Sequence, residues 1–455
     1  MKPAGFLKTF FYGEAHFSVW GLFSKMLGFL NMALVLSVLS TYEYGVAQLL
    51  LVSYSSVSFF MVLGAGSINN ELLRSIGSND LPKAKAIFQR SSILRFTIGI
   101  ILWAVFFFGG SIIFSHRFTP EFASLIKVVS FFFINDTLSS IIQPLLKGGK
   151  KFAIQARRLP LERILYLALL LYFIFVKKDF GISHLLISQV TAAIIANISL
   201  VPATLSIYRE WRGVRASKVK IVRPILFGIG RWEIIRPFFE KIVGFLQPAL
   251  IKLFISTEAV AIFSVAKTIL SSLGDLMPIR TLSSLLPLHV NDRYMAGKIF
   301  IYGTKYLTLL AVLLMVTGLI IVPPVVKIFF PQYVQAIPIF MVLAFNLPIG
   351  TLGALPGTYL AVMRRQKFIF IHSMIRTPII LLLYLTLLPA FSLIGLAFER
   401  LLTPFIMLTI TLVYLRRKGT EIIIPWSRFF AFDDEDRRFI RKIYYGIKMR
   451  LRVSS

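Results

Sequence analysis

Eleven basic side chains lie inside, or at the ends of, long apolar stretches of this chain: Lys25, Arg95, Lys127, Arg231, Arg236, Lys241, Lys252, Lys267, Lys305, Arg376 and Arg400. Five acids share those stretches, namely Asp136, Glu233, Glu240, Asp275 and Glu399. A charge at a bilayer centre costs about 2.5–3.5 kcal/mol on insertion scales, so such a residue needs a cavity, a partner or a route to the headgroups. A net-basic lining selects anions. Arg offers phosphate a bidentate fork and Lys a compact point charge. Phosphate or pyrophosphate is therefore a chemically sensible cargo, and carboxylates or acidic sugars fit the same charge.

The individual positions differ in strength. Lys25 and Lys241 sit several residues inside their stretches. For Lys25 a cavity-facing placement competes with snorkelling to the nearer headgroups. Arg231 and Arg236 precede Lys241, and Glu233 and Glu240 lie close enough along a helix to pair with Arg236. Arg95, Lys305 and Arg376 read as snorkelling flank residues, as do Lys127 and Lys252 at the opposite ends. Lys267 is mid-stretch and needs a cavity or an acid. Asp136 is a mid-stretch acid able to change its charge, which makes it a candidate coupling site; pairing with a buried base is the alternative reading.

The elements that must position these residues follow from composition. The chain has 455 residues, of which 57% are hydrophobic and only 15% charged, with a mean hydropathy of +0.78. A spanning helix needs about 20 mainly apolar residues, and the supply suffices for about a dozen. Long apolar blocks, without strict alternation, exclude an outer-membrane barrel. The expected fold is an all-α polytopic membrane protein, with spans near 17–39, 46–66, 93–113, 122–145, 161–176, 183–207, 233–255, 259–278, 299–322, 337–362, 369–389 and 392–415. The first block is too long for a signal-peptide core and reads as a retained span.

Twelve spans put both termini on one side. That side collects 35 Lys and Arg, against 4 on the other (Arg117, Lys177, Lys178 and Lys327). The positive-inside rule then places both termini in the cytoplasm. Much of the net charge of +30 is thus topology signal, and no nucleic-acid partner is expected.

The chain repeats itself. Residues 24–41 (SKMLGFLNMALVLSVLST) and 240–257 (EKIVGFLQPALIKLFIST) match at eight of 18 positions without a gap, including Lys25/Lys241, Gly28/Gly244 and Ser40-Thr41/Ser256-Thr257. Span one thus matches span seven, a parallel repeat about an axis along the membrane normal. A weaker echo pairs Arg95 with Lys305 and Asp136 with Asn346. The expected organisation is two pseudo-symmetric six-helix lobes, 1–208 and 224–415, around a central cavity. A basic cytoplasmic linker, 209–223, joins them, and a basic tail, 416–455, follows. In the tail Ile440, Ile443, Ile447 and Leu451 recur at helical spacing among basic residues, as in an interfacial amphipathic helix.

Catalysis is not expected. There is no Gly-rich phosphate loop, no cysteine, and the histidines at 16, 116, 184, 289 and 372 lack metal-ligand spacing. Neither a cofactor nor a metal is implied. The glycosylation-type triplets at Asn135–Thr137 and Asn197–Ser199 fall inside spans, so they are discounted as modification sites.

The stretch SKMLGFLNMALVLSVLSTYEYGVAQLLL, followed by GAGSINNELLRSIG and a basic loop, resembles the opening of the Wzx-like polysaccharide-biosynthesis flippases. These belong to the multidrug/oligosaccharidyl-lipid/polysaccharide exporter superfamily. The most recognisable parts are Glu43-Tyr44-Gly45 and Arg74. The resemblance implies a flippase for polyprenyl-pyrophosphate-linked oligosaccharide in the cytoplasmic (inner) membrane. It also implies alternating access, a cationic cavity and polysaccharide polymerase machinery as a partner. Lys25, Arg74, Arg231, Arg236 and Lys241 are the candidate pyrophosphate-binding residues; Asp136, Lys267 and Asn346 are candidate coupling or cavity-polar residues. Two alternatives stay open: a cation-coupled multidrug exporter of the same superfamily, and a membrane glycan polymerase or ligase.

Overall fold

The computed structural model describes residues 3–62, 65–110, 120–218, 231–277, 293–362 and 365–417, with single positions 224, 279 and 437. Among the described residues every regular element is helical. The helices are α1 (Pro3–Val38), α2 (Thr41–Val57), α3 (Phe59–Val62), α4 (Ala65–Gly77), α5 (Leu81–Ala104), α6 (Pro120–Gly148), α7 (Phe152–Leu171), α8 (Ile182–Ile198) and α9 (Val201–Glu210). They continue with α10 (Arg231–Phe254), α11 (Thr257–Gly274), α12 (Arg293–Phe329), α13 (Ala336–Ala344), α14 (Asn346–Val362) and α15 (Gln366–Arg417).

Local chemistry sets the helix ends. Ser40 Oγ accepts from the Glu43 N–H at 3.2 Å, while the Glu43 carboxylate accepts from the Ser40 N–H at 3.0 Å. This capping box satisfies donors that the first turn of α2 leaves open. The Asp80 carboxylate does the same for the Lys83 N–H, at 3.2 Å, at the start of α5. A π-helical turn at Tyr172–Lys177 prolongs α7, which stops at Lys178 in the left-handed region, φ 54°.

Nine helices among the described residues are long and apolar enough to cross a membrane. One of them, Lys367–Leu415, contains Ser392 at φ 56° and ψ −141°, which divides it into two spans. The apolar segment Phe23–Val38 of α1 and the more polar α10 supply spans one and seven. The polytopic all-α fold of about twelve spans is therefore present.

Two boundaries correct the sequence reading. The fifth span is not a short segment at 161–176, because α7 begins at Phe152. Arg157 and Arg158, which precede the expected span, lie on this helix together with Glu162 and Arg163. The third span begins at Leu81 rather than near 93, which places Arg95 mid-helix. The expected linker at 209–223 is fastened along its described part: Lys85 Nζ donates to the Trp211 and Val214 carbonyls at 2.8 and 2.9 Å, and the Ser217 N–H donates to the Pro82 carbonyl at 3.0 Å. The basic amphipathic pattern expected in 416–455 lies almost wholly outside the described residues.

The chain forms two compact units. The first comprises residues 1–272, 322–340 and 373–396, and the second 273–321, 341–372 and 397–455. In the first, α1 packs along α7, and α6 packs against α5 and α8. Two apolar clusters lie at different levels along these helices. One gathers Val46, Leu50, Phe106, Ile126, Phe133 and Val190; the other gathers Ile68, Leu72, Ile87, Leu145, Ile207 and Trp211. In the second unit Phe300 and Leu307 of α12 meet Tyr359 of α14 and Leu415 of α15. Lipid tails are as apolar as leucine, so these clusters act through packing, and hydrogen bonds between helices add about 0.6 kcal/mol each on average.

Candidate functional site

Between the two apolar clusters of the first unit runs a layer of polar side chains. On α6 the clusters claim Phe133 on one side and Ile142 on the other, and Asn135, Asp136, Thr137 and Ser140 fall between. Neighbouring residues on a helix point about 100° apart, so Asn135 and Asp136 serve different helices. Asn135 Oδ1 accepts from Asn197 Nδ2 of α8 at 2.7 Å. Asp136 accepts a short hydrogen bond from the Tyr54 hydroxyl of α2. The Tyr54 ring is held by Phe132 and Phe133, at centroid distances of 5.2 and 5.0 Å.

The layer extends in both directions. Asn197 Oδ1 accepts from Arg158 Nε at 2.8 Å, and Arg158 pairs with Glu162 one turn along α7 at 3.0 Å. On the other side Lys241 Nζ of α10 donates to Ser55 Oγ of α2 at 2.8 Å. The charges of Lys241 and Arg158 both act on Asp136. Arg95 of α5 donates to Asn69 Oδ1 at 2.8 Å and to the Ser140 carbonyl. The layer therefore holds three bases (Arg95, Arg158, Lys241) and two acids (Asp136, Glu162), bridged by neutral amides and hydroxyls. An unpaired charge in lipid is expensive, and here each one has a partner.

Of the residues singled out from sequence, the structure brings Asp136 and Lys241 together. Lys25, Arg74 and Lys267 are exposed. Arg231 and Arg236 lie on α10, with side chains outside the described residues. Asn346 opens α14, half-buried, with its Oδ1 buried and without a hydrogen-bond partner. Arg95 and Lys305 correct the snorkelling assignment. They are 6% and 8% exposed, and Lys305 Nζ lies 6.0 Å from the Tyr302 ring centroid. Both sit on helices that start well before the apolar windows, so neither is a flank residue.

Sequence reasoning missed Tyr54, Ser55, Asn135, Arg158, Glu162 and Asn197. The charge of Arg158 hid it, since an apolar window ends where charge begins; Glu162 falls at the edge of the expected span 161–176. Asn135 and Asn197 were visible only as triplets of a modification motif; their burial inside spans was the usable signal. Tyr54 carried none.

This is the fold of membrane transporters and flippases. An inward-facing multidrug resistance MATE family transporter of the MOP superfamily superposes with a TM-score of 0.69 at 14% identity, over 88% of this chain and 95% of that one. The lipid II flippase MurJ, in an inward closed conformation, gives 0.66 at 15% identity, over 96% and 98%. A MOP superfamily transporter from Pyrococcus furiosus, described as having a binding pocket of reverse polarity that suggests a different function, gives 0.58 at 13%, over 91% and 94%. No curated protein matches by sequence. The family model described as "Polysaccharide biosynthesis protein" matches residues 15–287, and the chain belongs to that family.

Proposed function

We propose that this protein is a flippase that moves polyprenyl-pyrophosphate-linked oligosaccharide across the cytoplasmic membrane by alternating access of its two repeat halves, 1–208 and 224–415. The observation that carries the reading is the base-rich polar layer, buried mid-helix in a chain of a polysaccharide-biosynthesis family. A pyrophosphate is the hardest part of such a substrate to move through lipid. Arg forks and Lys ammonium groups supply the counter-charge that water supplies outside. Without the three bases that α7 carries, Arg157, Arg158 and Arg163, the distribution of Lys and Arg is 32 to 4, which supports cytoplasmic termini, where the substrate is built. Arg74, Arg231 and Arg236 belong to the same reading as further bases on the substrate path, with Lys267 and Asn346 as polar lining. Asp136 is the acid through which an ion gradient would act, and the polymerase machinery is the downstream partner.

The test is translocation of a lipid-linked oligosaccharide in vesicles by the reconstituted protein. The Lys25→Gln, Lys241→Gln double variant should insert normally and translocate nothing. Normal surface polysaccharide from cells carrying that variant would remove the anionic-path argument. Efflux of organic cations from a sensitive host would replace the reading with the multidrug exporter, although bases exceed acids by 11 to 5 in the stretches read from sequence and α7 adds Arg157, Arg158 and Arg163 against Glu162. A defined polymer made by the purified protein would replace it with the glycan polymerase. An ionophore that leaves transport unchanged would exclude gradient coupling through Asp136.

A further inference from the structure

Residues 209–218 form a strap that takes in the end of α9 and then runs, as a turn and an irregular stretch, along the first turns of α5. Lys85 Nζ of α5 donates to the Trp211 and Val214 carbonyls, and it lies 5.8 Å from the Tyr208 ring centroid. Five residues on, Arg90 donates to the Ser217 and Lys218 carbonyls at 3.2 and 3.3 Å. Gln89 Nε2 donates to the Tyr208 hydroxyl at 2.8 Å, and the Ser217 N–H donates back to Pro82. Trp211 is buried against Phe88, at a centroid distance of 6.2 Å. The strap is therefore fastened to α5 along its whole length.

This fastening separates two sets of bases. The carbonyls of 211, 214 and 217, three residues apart, accept from α5. Arg209, Arg212, Arg215 and Lys218 recur at the same spacing, and all four are exposed. Their side chains make no hydrogen bond or ion pair among the described residues. Glu210 is the one acid in the strap. Lys85 and Arg90 hold the backbone, while the four strap bases keep their donors open to solvent or headgroups. The depth follows from α5, whose apolar helix runs over 29 residues, Leu81–Gly109. A hydrocarbon core about 30 Å thick takes about 20 of them. The apolar window starts near 93, so residues 81–90, which carry the strap, lie at headgroup depth. Tyr and Trp favour that layer, and Tyr208 and Trp211 fasten the strap there.

We infer that Arg209, Arg212, Arg215 and Lys218 form a docking ladder for anionic phospholipid headgroups of the leaflet that the strap faces. The inference does not depend on the cargo. Three residues of extended chain span at most about 10 Å, so the four charges are spread along the strap. Such spacing suits several lipid phosphates in a row better than one compact anion. Each Arg offers a phosphate oxygen pair its planar fork, and Lys218 adds a point charge. Juxtamembrane bases near an anionic leaflet are attracted one by one, so their contributions accumulate. Lys85 and Arg90 keep the strap laid out along α5, which presents the ladder already formed. Lipid bound there holds the strap and the start of α5 at the membrane surface.

The chain has no cysteine, so Gly213→Cys puts a single thiol on the strap, where an added Cβ meets nothing within 4 Å. A bimane on that thiol, in the full chain in phosphatidylcholine nanodiscs, is quenched by spin-labelled lipid that dwells beside it. Spin-labelled phosphatidylglycerol should quench at an about tenfold lower mole fraction than spin-labelled phosphatidylcholine. The Arg212→Gln, Arg215→Gln double variant should remove most of that preference. Lys85→Met, which keeps all four strap bases, should remove part of it by releasing the strap. The Arg365→Gln, Lys367→Gln double variant deletes two exposed bases outside the strap and should leave it unchanged. Both double variants alter exposed side chains only, so each should fold. Equal quenching by the two lipids without further substitution would overturn the ladder. Equal loss in the two double variants would reduce the effect to overall charge and overturn it too. An unchanged preference in Lys85→Met would overturn the role given to the fastening. Displacement of phosphatidylglycerol by inorganic phosphate, but not by chloride of equal ionic strength, would assign the bases to free phosphate and overturn the lipid assignment.

Discussion

The two copies of the repeat share a scaffold and differ in where they put their charge. In both, the first helix stops at the same repeat position, Val38 and Phe254, and the next begins at the same threonine, Thr41 and Thr257. In both, the preceding serine caps the new helix: the Ser40 and Ser256 hydroxyls accept from the N–H three residues on, each at 3.2 Å. The buried stripes correspond as well, with Leu27, Asn31 and Val35 in one copy and Val243, Gln247 and Ile251 in the other. The matched amides are 0% and 3% exposed.

The lysines part company. Lys241 is half-buried, bonded to Ser55 and close enough to act on Asp136, whereas Lys25 is exposed. The glycines differ too. Gly244 has nothing within 4 Å of an added Cβ, and Gly28 faces the Arg163 guanidinium. A repeat therefore preserves helix ends and the packing stripe, while the neighbour that each copy meets sets the role of its lysine. One lysine is buried at the contact of α10 with α2; the other is exposed on α1.

The largest expected effect comes from the contact that locks one copy against the other. A Cβ at Gly45 of α2 would lie 2.2 Å from the Thr257 carbonyl oxygen, a backbone atom that has no rotamer to change. Gly45→Val should cost about 3 kcal/mol or more and abolish the monodisperse peak in size-exclusion chromatography. A normal peak would break the claim that the copies meet there.

Next is the lysine asymmetry. Lys241→Met should destabilise by about 2 kcal/mol, because Asp136 and Ser55 lose their partner in a poorly solvated layer. Lys25→Met should stay within about 0.5 kcal/mol. Equilibrium unfolding in mixed micelles measures both, and equal losses would erase the distinction. The caps are weaker probes. Ser40→Ala should cost about 1–2 kcal/mol, since it also breaks the capping box, and Ser256→Ala about 0.5–1 kcal/mol. The reverse order would mean that Glu43 adds nothing. The smallest effect is at the glycines. Gly244→Ala should raise stability by about 0.5 kcal/mol, through reduced backbone freedom in open space. Gly28→Ala should gain less, and a thermal scan that ranks them the other way would deny the Arg163 contact.

Span number, orientation signal and repeat were legible because they are one-dimensional. Apolar runs, the side on which Lys and Arg gather, and an in-frame match at a constant offset need no knowledge of neighbours. The Ser40-Thr41 and Ser256-Thr257 pairs carry a local cap signal, although the expected spans began later, near 46 and 259, than the helices at Thr41 and Thr257. The candidate site was legible only in part. Asp136 and Lys241 stood out as charges in apolar runs. Arg158 was misplaced for the same reason in reverse, because its charge closed the window in which α7 continues. Arg95 and Lys305 looked like flank residues until the helices proved longer than the windows.

By itself, the amino-acid order determined that this is a multi-pass helical membrane protein with a duplicated opening motif and an excess of bases where lipid would forbid them. Only the tertiary structure decided which of those bases are satisfied. A hydrogen bond between Asn135 and Asn197, or between Lys241 and Ser55, joins residues 62 or 186 positions apart. Nothing in the local pattern specifies such a pair. The cost of a charge in lipid depends on what stands within about 3 Å of it, and that is a property of the packed helices.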